Sequence, residues 1–539
     1  MVAMKRPPNP LPSDPAHLQN LVLELQAQLL VQQRQLQQKD LRIQILEEYV
    51  RLEKLRRYGP KSEKAAGQGE LFNEVETLAE VDLPEPTALE RAEAPAHPSA
   101  RRTSTPRPGR KPLPAELPRV RILHELSEGQ QVCPCGCQLK VIGEEVSEQL
   151  DIVPAQVRVL QHVRQKYACR ACEQGVLTAP LPPQPIPKSQ ASPGLLAHLM
   201  VAKYLDAQPL HRQEKALARS QVHLPRQTQA TWMIRASQLF QPLLNLMRDA
   251  LLSGPYLHCD ETRVQVLKEP DKPPESQSYM WVQVGGLPDR RVILYDYRDT
   301  RSGRVPVELL ADYQGYLMVD GYEGYGAVGR QDGVQLLACW AHARRKFVEA
   351  GKAQPKASKT TRRADQVIQQ IARLYKIERE AQEFSPEARY QFRQERSLPI
   401  LADLRAWLDE NRAQVLPSGK LGEAIAYLDK YWPRLVRYCE DGRLPIDNNP
   451  AENAIRPFVI GRKNWLFSAS QQGAHASAAI YSLIETVRAN GLEPYHYLRH
   501  VLKALPRVQS VEDYERLLPW SLTADTLIES RLADEGGVG

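Results

Sequence analysis

The sequence predicts an α/β multidomain protein in which strands occupy one limited stretch and helices nearly everything else. Three observations predict it. Short apolar runs bounded by Gly or Pro, the mark of strands, fall almost entirely within residues 255–347. From 348 to 445 the pattern is amphipathic and helical only. Ahead of both stand a heptad-repeat segment and two close cysteine clusters, which read as separate small modules. A chain of 539 residues has room for several domains and a large core.

Composition narrows the function classes. The formal net charge of +7 is a mild basic excess, which favours a nucleic-acid partner only where it is clustered. No apolar run approaches the roughly 18 residues needed to span a bilayer, and residues 1–15 carry no signal-peptide core. No membrane role is expected. Of eight cysteines, five fall in the two clusters and three are scattered, which suits a reducing compartment and metal ligation better than disulfides. A cytoplasmic location follows as the expectation.

Residues 17–57 read as one long helix. Val22, Leu29, Leu36, Ile43 and Val50 recur every seven residues, and Leu18, Leu25 and Leu46 fill the companion seam, which Gln32, Lys39 and Glu53 interrupt. A sustained heptad argues for a coiled coil and hence a homo-oligomer, with packing against its own chain as the other reading. Residues 60–118 are rich in Pro, Ala and Glu and read as a disordered linker. Arg101, Arg102, Arg107, Arg110 and Lys111 make part of it basic, suited to phosphate contacts or simply to solvation.

Cys133, Cys135 and Cys137 form a first knuckle and Cys169 and Cys172 a second, inside a zinc-ribbon segment assigned to 119–182. Four thiolates make a closed, structural tetrahedral Zn²⁺ site. Cys133, Cys135, Cys169 and Cys172 are the expected ligands, with Cys137 as the alternative in the first knuckle. Residues 190–250 are helical. A break at Ser220–Pro225 separates two segments as in a helix-turn-helix, with Arg226 and Thr228 at the start of the second where a recognition helix would meet bases. Helical hairpins without DNA are equally common.

Within 255–347 the expected order is strand, strand, strand, helix, strand, helix, strand. The strands are Tyr256–Leu267, Tyr279–Val284, Val292–Tyr297, Gly315–Val319 and Val334–Cys339. Asp260 and Asp320 each sit at or near a strand end. Residues 348–445 form an all-helical insertion, 446–470 complete the core, 471–521 add C-terminal helices, and 522–539 are an acidic tail. Glu452 falls early in a helix for which Asn449 can act as cap and Pro450 as the first helical residue.

Two strand-borne aspartates and a helix-borne glutamate suit one task, holding a pair of divalent ions such as Mg²⁺ through carboxylate oxygens. Taken singly, each aspartate also fits a turn former and Glu452 a capping box. His342, Arg344 and Arg345 directly after the last strand, and Arg462, Lys463 and Trp465 after Glu452, could meet phosphates and bases, or form solvated faces.

Several long stretches carry a resemblance: HCDETRVQVL, VDGYEGYG, ACWAHARRKF, IDNNPAENAIRPFVIGRKNWLFS and GAHASAAIYSLIETVRANGLEPYHYLRHVL, with GRKPLPAELPR, EEVSEQLDIVPAQVRV and KYACRAC upstream. Over nearly its whole length the chain resembles the transposases of the insertion-sequence 66 family. The resemblance implies a DDE enzyme with a ribonuclease H-like core interrupted by a helical insertion, an N-terminal leucine zipper, a zinc segment and a helix-turn-helix region. It implies that Asp260, Asp320 and Glu452 bind two Mg²⁺ or Mn²⁺ ions. The first would activate water and then a DNA 3′-hydroxyl, and the second would stabilise the leaving oxygen. The implied partners are DNA, as terminal inverted repeats and target, and accessory proteins of the same element, in a nucleoid-associated setting. Two rivals fit parts of the pattern. One is a zinc-stabilised coiled-coil DNA-binding regulator with a non-catalytic core, and the other a nuclease that cuts without joining.

Overall fold

The computed structural model describes residues 14–58, 157–168, 176–353 and 362–529. The first element, α1 (Pro15–Tyr58), is a single helix of 44 residues. Val22, Leu29, Leu36, Ile43 and Val50 are all exposed along it. Only its C-terminal end packs on its own chain: Glu48 Oε2 accepts the Lys420 amide at 3.1 Å and Arg51 Nη1 donates to Ala353 O at 3.2 Å. Residues 82–179 form a separate unit. There β1 (Lys166–Ala168) pairs antiparallel with β2 (Val176–Thr178). This hairpin brackets Cys169 and Cys172 in the sequence, while all five clustered cysteines, the basic linker and the tail from 530 lie outside the described residues.

In the larger unit four helices precede the sheet: α2 (Pro193–Tyr204), α3 (Leu210–Arg219), α4 (Arg226–Leu239) and α5 (Gln241–Leu252). Ser192 caps α2 by accepting the Leu195 amide at 3.1 Å, and Pro193 needs no partner at the first position. The break between α3 and α4 falls where the sequence places it, because Pro225 cannot continue a helix. Arg226 and Gln227 are exposed on the first turn of α4, and Gln229, Trp232, Met233 and Ala236 are buried beneath.

The sheet is built on β3 (Tyr256–Lys268). On one side β4 (Gln277–Leu287) and β5 (Arg290–Arg298) continue it as an antiparallel meander. After the short helix α6 (Arg304–Leu309), β6 (Gly315–Val319) and β7 (Val334–Ala338) extend the other side in parallel, giving the order β5-β4-β3-β6-β7. The helix expected between β6 and β7 is replaced by two 3-10 turns, Glu323–Gly326 and Val328–Arg330. Glycines at 321, 324, 326 and 329 explain the difference, since each disfavours a continuous helix.

After β7 come α7 (Trp340–Ala353), α8 (Arg363–Glu380), α9 (Pro386–Arg412) and α10 (Lys420–Val436). Then α11 (Asn449–Trp465) returns to the sheet. It is followed by β8 (Ser468–Ser470), paired in parallel with the far end of β3, then α12 (Gln471–Ala489), α13 (Pro494–Ala504) and α14 (Val511–Glu515). Successive β6 residues feed two cores. Leu317 and Val319 join the larger one with α5, α6, α11 and α12, while Met318 joins the core of α7–α10.

The helical insertion has its own buried ionic lock. Arg393, fully buried on α9, pairs in bidentate fashion with Glu378 on α8 at 2.9 and 2.6 Å. It also donates to the carbonyls of Tyr438, Asp441 and Leu444 at 2.6–2.8 Å. Those carbonyls belong to the connection leading back to α11, so one guanidinium fixes the route by which the chain re-enters the sheet. Arg393→Met leaves Glu378 and three carbonyls without it, and is expected to cost about 3–5 kcal/mol in urea unfolding. An unchanged unfolding midpoint would remove this role.

Candidate functional site

The strand register sets the first two carboxylates side by side. His258 on β3 pairs with Met318 on β6, and Asp260 and Asp320 each stand two residues further on. Neighbouring strands are about 4.8 Å apart, so both aspartates emerge at one level. The Asp260 carboxylate accepts the Glu261 amide at 2.8 Å, and that of Asp320 accepts the Tyr322 amide at 2.8 Å. Gly321 makes the turn after Asp320 possible. It holds φ 98°, and a Cβ there would stand 3.0 Å from the Tyr427 hydroxyl. Tyr427 and Tyr431 on α10 donate to the carbonyls of Asp320 and Gly321 at 3.0 and 2.7 Å.

Glu452 arrives on the first turn of α11. His342 Nδ1 lies 3.6 Å and Arg345 Nη2 3.9 Å from its carboxylate. The expected capping box does not form. Asn448, not Asn449, is the cap residue; the helix starts at Asn449, and no side chain caps it. The reason is competition for those side chains. Asp447 Oδ1 takes the Asn449 amide at 3.1 Å. Asn448, fully buried, is drawn to the strand, where its Nδ2 donates to Cys259 O at 2.9 Å and its Oδ1 meets His258 Nδ1 at 3.0 Å. With the amide nitrogen committed to Cys259, Oδ1 is the acceptor and His258 donates from Nδ1. Burial keeps His258 neutral, its pKa lowered to about 4. The Asn448 amide in turn donates to Cys339 Sγ at 3.2 Å.

Electrostatics tie the cluster together. Burial raises the Asp260 pKa well above the ordinary range, and the charges of Glu261, Asp320 and Glu452 raise it further, so all three lie within its field. Glu261 is itself raised by burial and by Asp320, and is restrained by Arg301 Nη2 at 2.5 Å and the Tyr325 hydroxyl at 2.8 Å. Burial lowers the His342 pKa to about 4, with Arg345 next in effect. Crowded, buried carboxylates of this kind fit a hard divalent cation, which would relieve their repulsion. Cys339, His342 and Glu452 also each offer a ligand atom within 4.8 Å of the others.

Of the other residues singled out, Arg344 is half-buried on α7 beside His342 and Arg345. Arg462 donates to Thr262 Oγ1 at 3.2 Å, two residues along β3 from Asp260, and Lys463 is exposed next to it. Arg226 and Thr228 belong to α4, which packs on α3 and α12 rather than at the carboxylates. The Trp465 ring folds over Gly461 and lies 3.8 Å from Lys203 Nζ, partly buried against the larger core. Sequence reasoning passed over Glu261, Asn448, His258, Cys339, Arg301 and Tyr325. The runs HCDE, inside β3, and DNNP, at the start of α11, held the signal, since polar residues packed beside an acid have to find buried partners.

Comparison with known proteins gives the family. The model described as Transposase IS66 family matches residues 188–476. Further matches are the zinc-finger binding domain of transposase IS66 at 130–173, the IS66 C-terminal element at 482–520, and Transposase C of IS166 homeodomain at 45–122. Two uncharacterized proteins of Sinorhizobium fredii (strain NBRC 101917 / NGR234) are similar along most of their length. One, y4jD, is 34% identical over 77% of this chain and 82% of its own; the other, y4hP, is 32% identical over 87% and 88%. The chain belongs to the IS66 family of transposases. No helix among the described residues is long and apolar enough to cross a membrane.

Two outcomes follow. Asn448→Ala orphans the His258 donor and the Cys259 carbonyl, and is expected to cost roughly 2–6 kcal/mol at about 1–3 kcal/mol per buried group, read by denaturant unfolding. The second concerns pH. Acids with raised pKa bind more protons folded than unfolded, so metal-free stability falls as pH rises above the ordinary carboxyl value near 4. Mg²⁺ should therefore raise Tm more at about pH 8 than at about pH 5. Asp260→Asn should raise the metal-free Tm and lose the Mg²⁺ response; equal Mg²⁺ shifts at both pH values would contradict this.

Proposed function

We propose that this chain is a DDE transposase, cutting DNA at the ends of its own element and joining the freed 3′-hydroxyl to target DNA. Asp260, Asp320 and Glu452 would be the metal-binding carboxylates. The observation that carries the reading is the shared field of those three groups, brought from two neighbouring strands and a distant helix. The sheet order supports a ribonuclease H-like core: the first three strands form an antiparallel meander, and the next two lie parallel to the first on its other side. The exposed heptad seam of α1 supports a coiled coil between copies. The zinc-finger match supports structural Zn²⁺ on Cys133, Cys135, Cys169 and Cys172, with Cys137 the alternative in the first knuckle. Arg226 and Thr228 at the exposed start of α4 suit contacts to the element end.

When bound, a pair of Mg²⁺ or Mn²⁺ ions would supply an activated attacking oxygen and a stabilised leaving oxygen. The chain's own residues do the rest. Asp260 stands on β3, and Asp320 directly follows β6, where Tyr427 and Tyr431 hold its backbone. Arg301 holds Glu261 by its carboxylate, away from any competing role, so Asp260 is the neighbour left to face the cluster. His342 stays neutral at working pH and offers a hydrogen bond without adding charge. Arg345 balances Glu452, and Arg462 and Lys463 approach the phosphates of a strand lying along β3.

The test uses duplex DNA carrying the element's terminal sequence. Cleavage and strand joining are expected with Mg²⁺ or Mn²⁺ and not with Ca²⁺. Asp260→Asn, Asp320→Asn and Glu452→Gln should each abolish both steps yet keep wild-type binding to the ends. Wild-type cleavage rates in any of these variants would sink the assignment, and cutting without joining would make the chain a nuclease.

A further inference from the structure

The end of α11 holds a feature that the carboxylate cluster does not use. Leu466 adopts φ 69° and ψ −51°, and the Phe467 amide donates to Trp465 O at 2.9 Å. That is a γ-turn of the rare positive-φ sign, a strained conformation for a branched side chain. The turn is anchored from behind. Asn464 Nδ2 donates to Ala207 O at 2.8 Å, and Trp465 is clamped between Gly461 and Lys203. A Cβ on Gly461 would stand 2.1 Å from the Trp465 ring, so only glycine allows the clamp. In front, Leu466 is 65% and Phe467 42% exposed. Backbone strain thus leaves two adjacent apolar side chains only partly buried, Leu466 the more exposed.

The surroundings are cationic. Lys463 is exposed one turn back on α11, and Arg263 and Lys268 are exposed on β3. Arg462 lies within electrostatic reach of Arg263 while bonded to Thr262. The position along the sheet is also fixed. Ser468 pairs with Val266, so the turn lies beside residues 264–266 of β3, four to six residues beyond Asp260. At about 3.3 Å per residue this is roughly 13–20 Å, or about four to six base steps of 3.4 Å.

We propose that Leu466 and Phe467 are an apolar wedge that enters the base stack of the element end, about four to six base pairs from the phosphate under attack. This rests on the transposase reading above. Duplex DNA answers both halves of the surface at once, phosphates meeting Lys463, Arg263 and Lys268 while an opened base step receives the apolar pair. An apolar protein partner would leave the cations unmatched. Anchoring by Asn464 and Trp465 keeps the wedge from collapsing onto the chain, so it meets the duplex already formed.

The experiment binds full-length protein to terminal-sequence duplexes carrying 2-aminopurine at successive positions, with Ca²⁺ in place of Mg²⁺ so that cleavage is withheld. The expected result is a several-fold fluorescence rise at one position four to six base pairs inside the end. The double variant Leu466→Ser with Phe467→Ser should lose that rise while binding, read by anisotropy, weakens only a few-fold. Leu466→Gly relaxes the positive φ; it should melt at or above the wild-type temperature and lose most of the rise, which separates the wedge from a folding defect. Tight binding with no brightening at any position overturns the wedge alone, as does undiminished brightening in the double variant. A wild-type chain that does not prefer the terminal duplex over an unrelated one overturns the transposase reading and the wedge together.

Discussion

One buried amide side chain holds the candidate site together. Asn448 sits between the end of the helical insertion and the start of α11; its two side-chain atoms reach Cys259 and His258 on β3, and its backbone amide reaches Cys339 just past β7. Each bond is made away from water, where leaving a partner unmet is costly, so the contact has essentially one arrangement. Glu452 follows four residues later on a rigid helical turn. Its distance from Asp260 is therefore set less by the ninety-odd residues of the insertion than by this cross-link. The insertion varies the path, and Asn448 fixes the arrival.

The cluster itself is under electrostatic tension. Asp260 is pressed by burial and by three neighbouring carboxylates, and Glu261 is paired with Arg301. Arg345 Nη2 stands 3.9 Å from the Glu452 carboxylate. Such an arrangement raises the cost of charging these carboxylates. It contrasts with the Arg393–Glu378 lock in the insertion, where the charges are matched internally. The same chain thus contains one ionic centre matched within the fold and one in which carboxylates crowd one another.

Much of this was legible in the residues. Short apolar runs bounded by Gly or Pro found five of the six strands, with ends off by at most a few residues; β8, three residues of Ser and Ala, carries no apolar run and was missed. Asp260, Asp320 and Glu452 could be singled out because acids at element ends next to apolar runs are few. The rest needed three dimensions. A capping box around Glu452 was the natural local reading of Asn449-Pro450-Ala451-Glu452, and it gave way to bonds that Asn448 makes to residues 190 positions earlier, invisible to any window. Trp465 stood out by its cationic neighbours. Only the packing of Lys203 and Gly461 around its ring shows that the more exposed apolar surface is the next two residues. Four glycines between 321 and 329 were in plain view, and weighing them would have replaced the predicted helix with turns.

The foot of the long N-terminal helix has a mechanical meaning. Gly419 precedes α10 and has no side chain to cap it; Glu48, from 372 residues earlier in the chain, takes the Lys420 amide instead. The far part of α10 carries Tyr427 and Tyr431, whose hydroxyls grip the backbone at Asp320 and Gly321. The 44-residue rod is therefore joined, through one 17-residue helix, to the backbone at Asp320 and Gly321, so a load on its foot bears on the turn after β6.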